Sequence, residues 1–318
     1  MKVVVIGALG HIGSHLIRRL PDFFPRCEVV MIDNMATQRY PSLFNLPKKG
    51  KYRFIEGDAT TMELEPIFVG ADAIVQLAAI TDATSSFDRA EEVEQINFTV
   101  TKRVADACIA NTVPMIMASS TSVYGTQESQ VDEDCSSEDL KPQSPYAETK
   151  LQEEAVIKKK CEAGLRAIIF RYGTIFGVSP GMRFHTAVNK FCWQAVLGAP
   201  LTVWKTAFEQ KRPYLDLDDC IRAIAFVIEK NLFDGRVYNV VTKNATVRDV
   251  IEEIRNHIPN LRVNFVDHKI MNQLSYEVLN TRMTDVGFKI ERNFGQSITE
   301  TIDLLKNSNF NLSCSHDD

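Results

Sequence analysis

KVVVIGALGHIG, residues 2–13, decides the fold. A four-residue apolar, β-branched run after Lys2 leads without a break into glycines at positions 7, 10 and 13, and a helical pattern follows from about His11 to Leu20. The apolar run is too brief for a signal segment, and a buried strand is the better reading. Glycines between a strand and a helix permit a tight turn and let the backbone approach a pyrophosphate, whose charge favours the helix N-terminus. A glycine triplet alone reads equally as a turn that packs a helix onto a sheet. The context separates the two readings. The second apolar run, EVVMI at 28–32, ends in Asp33, twenty residues past Gly13, where a carboxylate accepts hydrogen bonds from adenosine ribose hydroxyls. The same carboxylate repels a 2′-phosphate, which favours NAD over NADP, and Arg39 is the neighbour that favours NADP. His11 reads as a bystander in the phosphate loop.

Outward from this turn, short apolar runs alternate with helical patterns. YRFI (52–55), AIVQL (73–77), PMIMA (114–118) and AIIF (167–170) read as buried strands. Residues 90–111 place Val93, Ile96, Val100, Val104 and Cys108 at helical spacing. Such alternation indicates a parallel sheet covered on both faces, a Rossmann-type doubly wound α/β fold. After Arg171 the pattern loosens into the Gly/Pro-punctuated loop GTIFGVSPGMRF. A helix near 185–197, the strand LTVW (201–204), a helix at about 218–230, the strand VYNVV (237–241) and helices at about 246–257 and 297–306 follow. The expected division is a cofactor domain of residues 1–171 plus about 214–241, a smaller substrate domain of about 172–213 and 242–310, and a flexible tail, 311–318.

Size and charge narrow the function. The 318 residues carry a formal charge of −5, with no electrostatic footprint for nucleic acid. No apolar run approaches the roughly 20 residues of a membrane helix. Seven cysteines form no CxxC and are odd in number, which fits free thiols in a reducing cytoplasm. The histidines show no metal-ligand spacing, so no metal is expected.

The segment SPYAETK, 144–150, sets Tyr146 and Lys150 one helical turn apart on one face. Alone, that pair reads as a solvated helix face. Together with the glycine loop, IEGDATT, QLAA, INFT, SSTSVYG and RYGTIFG, it resembles the extended short-chain dehydrogenase/reductases, and within them the sugar-nucleotide epimerase/dehydratase family. The resemblance runs from residue 1 to about 307. It implies Ser120, Tyr146 and Lys150 as the catalytic group. It implies a cofactor wall of Gly7, Gly10, His11, Ile12, Gly13, Asp33, Asn34, Asp58, Ala59, Leu77, Ala78, Ala79, Thr81 and Ser119, with Asn97 supporting the active-site backbone. Thr121, Ser122, Thr174, Arg183, His185, Asn189 and Arg212 would meet the substrate, a nucleotide sugar. A free phenol titrates near pH ~10. A lysine ammonium one turn along and the positive charge of oxidised nicotinamide would lower that value and make Tyr146 a base.

The residues after the serine discriminate among reactions. The family's 4,6-dehydratases carry Asp and Glu there, and its decarboxylases carry Glu at the second position. This chain has Thr121 and Ser122. The hydroxyl-rich run resembles the 4-epimerases, which need no further acid. The loop after Arg171 departs from their pattern at Thr174 and resembles surface-polysaccharide enzymes that catalyse net C4 oxidation or reduction of a nucleotide-linked hexose or heptose. In that reading His185 donates a proton. In the plainer one, His185 and Arg183 bind sugar hydroxyls or phosphate. A non-catalytic NAD-binding sensor is a further reading, although such proteins usually lose the Tyr or Lys retained here. The resemblance also implies a homodimer formed through helices 90–111 and 146–163. The stripe Val93–Cys108 serves either that interface or the sheet. The acidic, Ser-rich stretch 127–144 reads as a loop over the active site or a solvated connection.

Overall fold

The computed structural model describes residues 1–81, 89–125, 129–267 and 275–307, so the expected tail 311–318 lies outside the described residues. The first half contains β1 (Lys2–Ile6), α1 (His11–Phe23), β2 (Glu28–Asp33), β3 (Lys51–Glu56), α2 (Glu65–Phe68), β4 (Ala73–Gln76), α3 (Ala90–Ala110), β5 (Met115–Ser120) and the short β6 (Gln130–Val131). Next come α4 (Pro145–Glu162), β7 (Ala167–Tyr172), β8 (Thr174–Phe176), α5 (Ala187–Val196), β9 (Leu201–Trp204), β10 (Arg212–Asp216), α6 (Leu217–Lys230) and β11 (Val237–Val240). The chain continues with β12 (Lys243–Ala245), α7 (Val247–Arg255), β13 (Val263–Val266), β14 (Glu277–Val278), α8 (Thr281–Asp285) and α9 (Phe294–Lys306).

Seven parallel strands in the order β11-β7-β5-β4-β1-β2-β3 form the main sheet. This is the Rossmann-type architecture that the alternation implied. Val3, Val4 and Val5 are fully buried because helices cover both faces of the sheet. On one face, Leu16, Ile17 and Leu20 of α1 pack with Ile221, Ile224 and Val227 of α6. On the other, Val100, Val104 and Cys108 of α3 join Ile157 of α4. The stripe on α3 is therefore the sheet-facing one. The helix α1 outruns its expected end at Leu20, taking Pro21 into its last turn and continuing to Phe23. The strand β11 returns the chain to the main sheet beside β7, pairing Tyr238 with Phe170.

A second core joins Phe176, Val188, Cys192, Tyr214, Val250, Ile254, Phe294 and Ile298. It surrounds a small sheet in which β10 runs parallel to β8 and antiparallel to β12. Sequence reasoning placed β8 inside a loop. The three residues of β8 are too few to show a period, and their partner strand lies about 40 residues away in sequence. In the stretch expected to be a loop, residues 130–131 form β6, which pairs with β14.

The helix α4 packs beside α3 on β5 and β7 of the main sheet. Ser144 caps its first turn by accepting from Ala147 N–H at 3.2 Å, and Pro145 occupies the first helical position. One turn beyond Lys150, the buried Glu154 carboxylate accepts two bonds from the Arg171 guanidinium, at 2.9 and 2.7 Å, and one from Ser119 Oγ at 2.6 Å. Arg171 also sits 4.8 Å from the Tyr124 ring centroid. Removing one partner of such a pair leaves a buried charge uncompensated. Glu154→Ala is expected to lower unfolding stability by about 3–5 kcal/mol in equilibrium urea denaturation. A loss below about 1 kcal/mol, the value of an exposed pair, would contradict this assignment.

Candidate active site

Sterics fix the turn after β1. Gly7 has a positive φ of 77°, and a Cβ there would stand 2.6 Å from Ala78 N. A Cβ on Gly13 would stand 2.3 Å from Gly7 O. Both positions exclude any side chain. Gly10 differs, because a Cβ there would meet no protein atom closer than 3.5 Å and would instead enter the cleft that Gly10 lines. The helix α1 begins at this glycine with no side-chain cap and no acid in its first turn. Its first N–H groups and the positive end of its dipole are thus available to an anion. Asp33 accepts from Leu9 N–H and Met35 N–H, each at 3.0 Å, which orients its carboxylate into the same cleft. These features fit a dinucleotide.

The cleft comprises two adjoining cavities of about 530 and 280 Å³. Gly7, Gly10, Leu77, Ala78, Ala79, Thr81 and Arg183 line both. Asp33, Asn34, Asp58 and Ala59 line the larger one, which they share with Arg39. Hydrogen bonds from Thr60 hold the Asp58 carboxyl below the usual carboxylate range. His11, Ile12, Gly13, Ser119, Ser120, Ser122, Tyr146, Lys150, Thr174, Arg183 and His185 line the smaller. Its wall also includes Gln76, Tyr172 and Thr186, which sequence reasoning missed. Gln76 pins the strand end by exchanging hydrogen bonds with the Ala78 backbone at 2.9 and 3.2 Å.

At the end of β5, Ser120 Oγ accepts from Ser122 Oγ–H at 2.9 Å and from Ser122 N–H at 3.2 Å. It is also hydrogen-bonded to the Tyr146 phenol. Lys150 Nζ lies 5.8 Å from the Tyr146 ring centroid. The ammonium does not lower the phenol in the chain by itself. Burial, the largest cause, pushes Tyr146 above its ordinary value of 10, and Glu153 adds to this, while Lys150, Arg183 and Ser120 pull the other way. Glu153 Oε2, 3.1 Å from Lys150 Nζ and almost fully buried, offsets part of the ammonium's charge and so adds to the effect of burial.

Four expected site residues line neither cavity. Asn97 is buried, accepting from Ile80 N–H at 2.8 Å and donating to Ile80 O at 3.0 Å, so it shapes the loop after β4. Thr121 donates its hydroxyl to Tyr172 O at 3.2 Å. Asn189 accepts from Gly177 N–H and donates to Arg183 O, spending its amide on the backbone of the loop it was expected to extend toward a ligand. Arg212 opens β10 and donates to Gln210 Oε1 at 2.8 Å. By contrast, Arg183 spans the cleft and donates to Thr81 Oγ1. Among the described residues, no group of three or more His, Cys, Asp or Glu side chains is placed to hold a metal ion.

The model of the NAD dependent epimerase/dehydratase family matches residues 3–240. YtcB of Bacillus subtilis (strain 168), an uncharacterised UDP-glucose epimerase, is 30% identical over 267 residues, which is 80% of this chain and 82% of that protein. The structure of UDP-glucuronic acid 4-epimerase from Bacillus cereus, in complex with UDP-glucuronic acid and NAD, matches with a TM-score of 0.87 and 26% identity. That match covers 97% of this chain and 100% of that one. UDP-N-acetylglucosamine 4-epimerase from Methanobrevibacter ruminantium M1, in complex with UDP-N-acetylmuramic acid, gives a TM-score of 0.87 and 25% identity, covering 96% and 98%.

His11 generates a pH prediction. Burial first, then the positive charges of Arg183 and Arg39, push its imidazole from 6.5 down to about 4, against the pull of the Gly177 carbonyl 2.9 Å from Nε2. The unfolded chain takes up the proton near 6.5, while the fold resists it until about 4. Stability contributed by the neutral ring is therefore lost as pH falls through that window, by about 3 kcal/mol in all. Urea unfolding across that window should show a shallower decline in His11→Gln than in the wild type. Parallel declines would contradict it.

Proposed function

We propose, because this chain belongs to the NAD dependent epimerase/dehydratase family, that it is a nucleotide-sugar 4-epimerase acting through a 4-keto intermediate. It is an NAD-dependent enzyme of the extended short-chain dehydrogenase/reductase class. The observation that carries the finer reading is the meeting of Ser120, Tyr146 and Lys150 in one cavity beside the glycine turn, with Thr121 and Ser122 where an acid-base pair for dehydration would stand.

When bound, NAD supplies the acceptor for the C4 hydride and gives it back. Every other task falls to the protein. The backbone N–H groups at the start of α1 and the bare Gly10 hold a pyrophosphate. Asp33 receives the adenosine ribose, and Asp58 and Ala59 flank the adenine. Lys150, held cationic by Glu153 and Tyr146 against the effect of burial, donates to the nicotinamide ribose and favours the phenolate. Tyr146 Oη takes the proton from the sugar's C4 hydroxyl, Ser120 bonds the same oxygen, and Tyr146 returns the proton once the ketosugar has turned. Thr174, Arg183 and His185 border the space in which it turns. The nucleotide end is assigned to the side of β10, where Arg212 stands.

We assign residues 1–171 and about 214–241 to the cofactor and about 172–213 and 242–310 to the substrate, a division supported by the separate apolar core around the small sheet and crossed by Met283 and Phe288, which pack in a core of the main sheet. Six described cysteines are free, four of them buried, which supports a reducing cytoplasm. No described helix is long and apolar enough to cross a membrane. The sheet-facing stripe of α3 is already used, so a homodimer through α3 and α4 would employ their outer faces.

Purified protein is to be incubated with a panel of nucleotide sugars while product NMR and absorbance of reduced nicotinamide are followed. A C4-inverted product without added cofactor is expected. Stoichiometric accumulation of NADH would instead indicate net oxidation. Tyr146→Phe should lower turnover by at least about a hundredfold while leaving nucleotide binding, measured by calorimetry, nearly unchanged. Undiminished turnover would remove the phenol from the mechanism.

A further inference from the structure

Lys150 is flanked on its own helix by a second titratable neighbour, to which the mechanism gives no task beyond keeping the ammonium charged. Glu153 is 1% exposed, its Oε2 lies 3.1 Å from Lys150 Nζ, and the same oxygen accepts from Thr101 Oγ1 of α3 at 2.7 Å. Its Oε1 is buried with no hydrogen-bond partner among the described residues. A half-satisfied carboxylate at this depth is costly, and a neutral side chain of similar shape would fill the space without that cost. What only the charged group does is share the ammonium.

We propose that Glu153 is a positioning residue that acts through Lys150. By dividing the ammonium's charge between itself and Tyr146, it adds to burial in keeping the phenol protonated until a second positive charge, that of oxidised nicotinamide, reaches the cavity. This rests on Tyr146 being the base. In effect the site is armed by cofactor binding. A cofactor-free chain presents a phenol to a sugar, whereas the loaded chain presents a phenolate.

The charges around the pair agree with this division. Arg183, from the loop after β8, lowers the phenol's proton affinity, as do Lys150 and the Ser120 hydrogen bond, while Glu153 raises it. Lys150 is held charged by Glu153, Tyr146 and Glu154. Glu154 is already committed to Arg171 and Ser119, which leaves Glu153 as the carboxylate bonded to the ammonium. His11 and His185 line the same cavity, and His11 is held neutral at pH 7. The side chain facing Glu153 from α3 is the uncharged Thr101.

The test is an ultraviolet difference titration of Tyr146, isolated by subtracting the matched Tyr146→Phe protein, in wild type, Glu153→Gln and Glu153→Asp. Removing the carboxylate should bring the phenolate in at a pH lower by about one unit. The acid limb of kcat should move the same way, with KM little changed, and Glu153→Asp should restore the wild-type titration. A purely packing role would lower thermal stability and leave the titration in place, and an unmoved or raised titration in Glu153→Gln overturns the proposal. If the Gln variant does not fold, Glu153→Leu carries the same test, and a phenolate that does not appear at lower pH than in the wild type overturns the proposal. Turnover that survives in Tyr146→Phe would strike the assigned function alone, since the titration needs no catalysis.

Discussion

The bidentate pair between Glu154 and Arg171 is the contact on which the rest of the site depends. It fixes the buried face of α4 to β7, and through Ser119 to β5 as well. Tyr146 and Lys150 project from the same helix two turns and one turn earlier, and Ser120 follows Ser119 on the same strand. A rotation of α4 by one residue would break three charge-assisted bonds at once and carry the phenol away from the serine. The desolvation of two full charges is offset because the fork of the guanidinium matches the carboxylate and Ser119 adds a third donor to it. Such a pair specifies geometry more than it adds stability.

A second constraint couples the two halves of the cleft. The loop between β8 and α5 is tied to the dinucleotide side by His11 Nε2 at Gly177 O (2.9 Å), Gly181 N–H to Ser14 Oγ (2.9 Å) and Arg39 Nη1 to Gly181 O (2.9 Å). A Cβ on Gly181 would stand 2.3 Å from Leu9 O, so that approach demands glycine. The loop that carries Arg183 and His185 thus rests directly on the phosphate turn. His11 and Arg39, which read as a bystander and a cofactor-choice residue in the sequence, belong to this clamp.

The main sheet was legible because parallel strands buried on both faces read as continuous apolar runs, and β1, β2, β4, β5 and β7 all do. Gly7, Gly10, Gly13 and Asp33 were legible because their spacing answers to local geometry within one strand-turn-helix unit. The smaller sheet was not, since β8, β10 and β12 are three to five residues long and acquire partners only through distant pairing. Thr121 and Asn189 were placed near ligands because a motif records position along the chain and not the direction in which an amide or hydroxyl is spent. Glu153 carried no sequence signal at all. On a helix of mixed charge its spacing from Lys150 is that of an ordinary surface pair, and only burial turns it into a group that opposes the lysine's effect on the phenol.

The central claim is that the hydrogen on C4 of the sugar leaves and returns to the same carbon within one protected cavity. The most direct measurement uses a nucleotide sugar deuterated at C4, turned over in ordinary water and read by NMR and mass spectrometry. The account predicts the C4 epimer with its deuterium retained at C4. Deuterium washed out into solvent, or a product unaltered at C4, would contradict it.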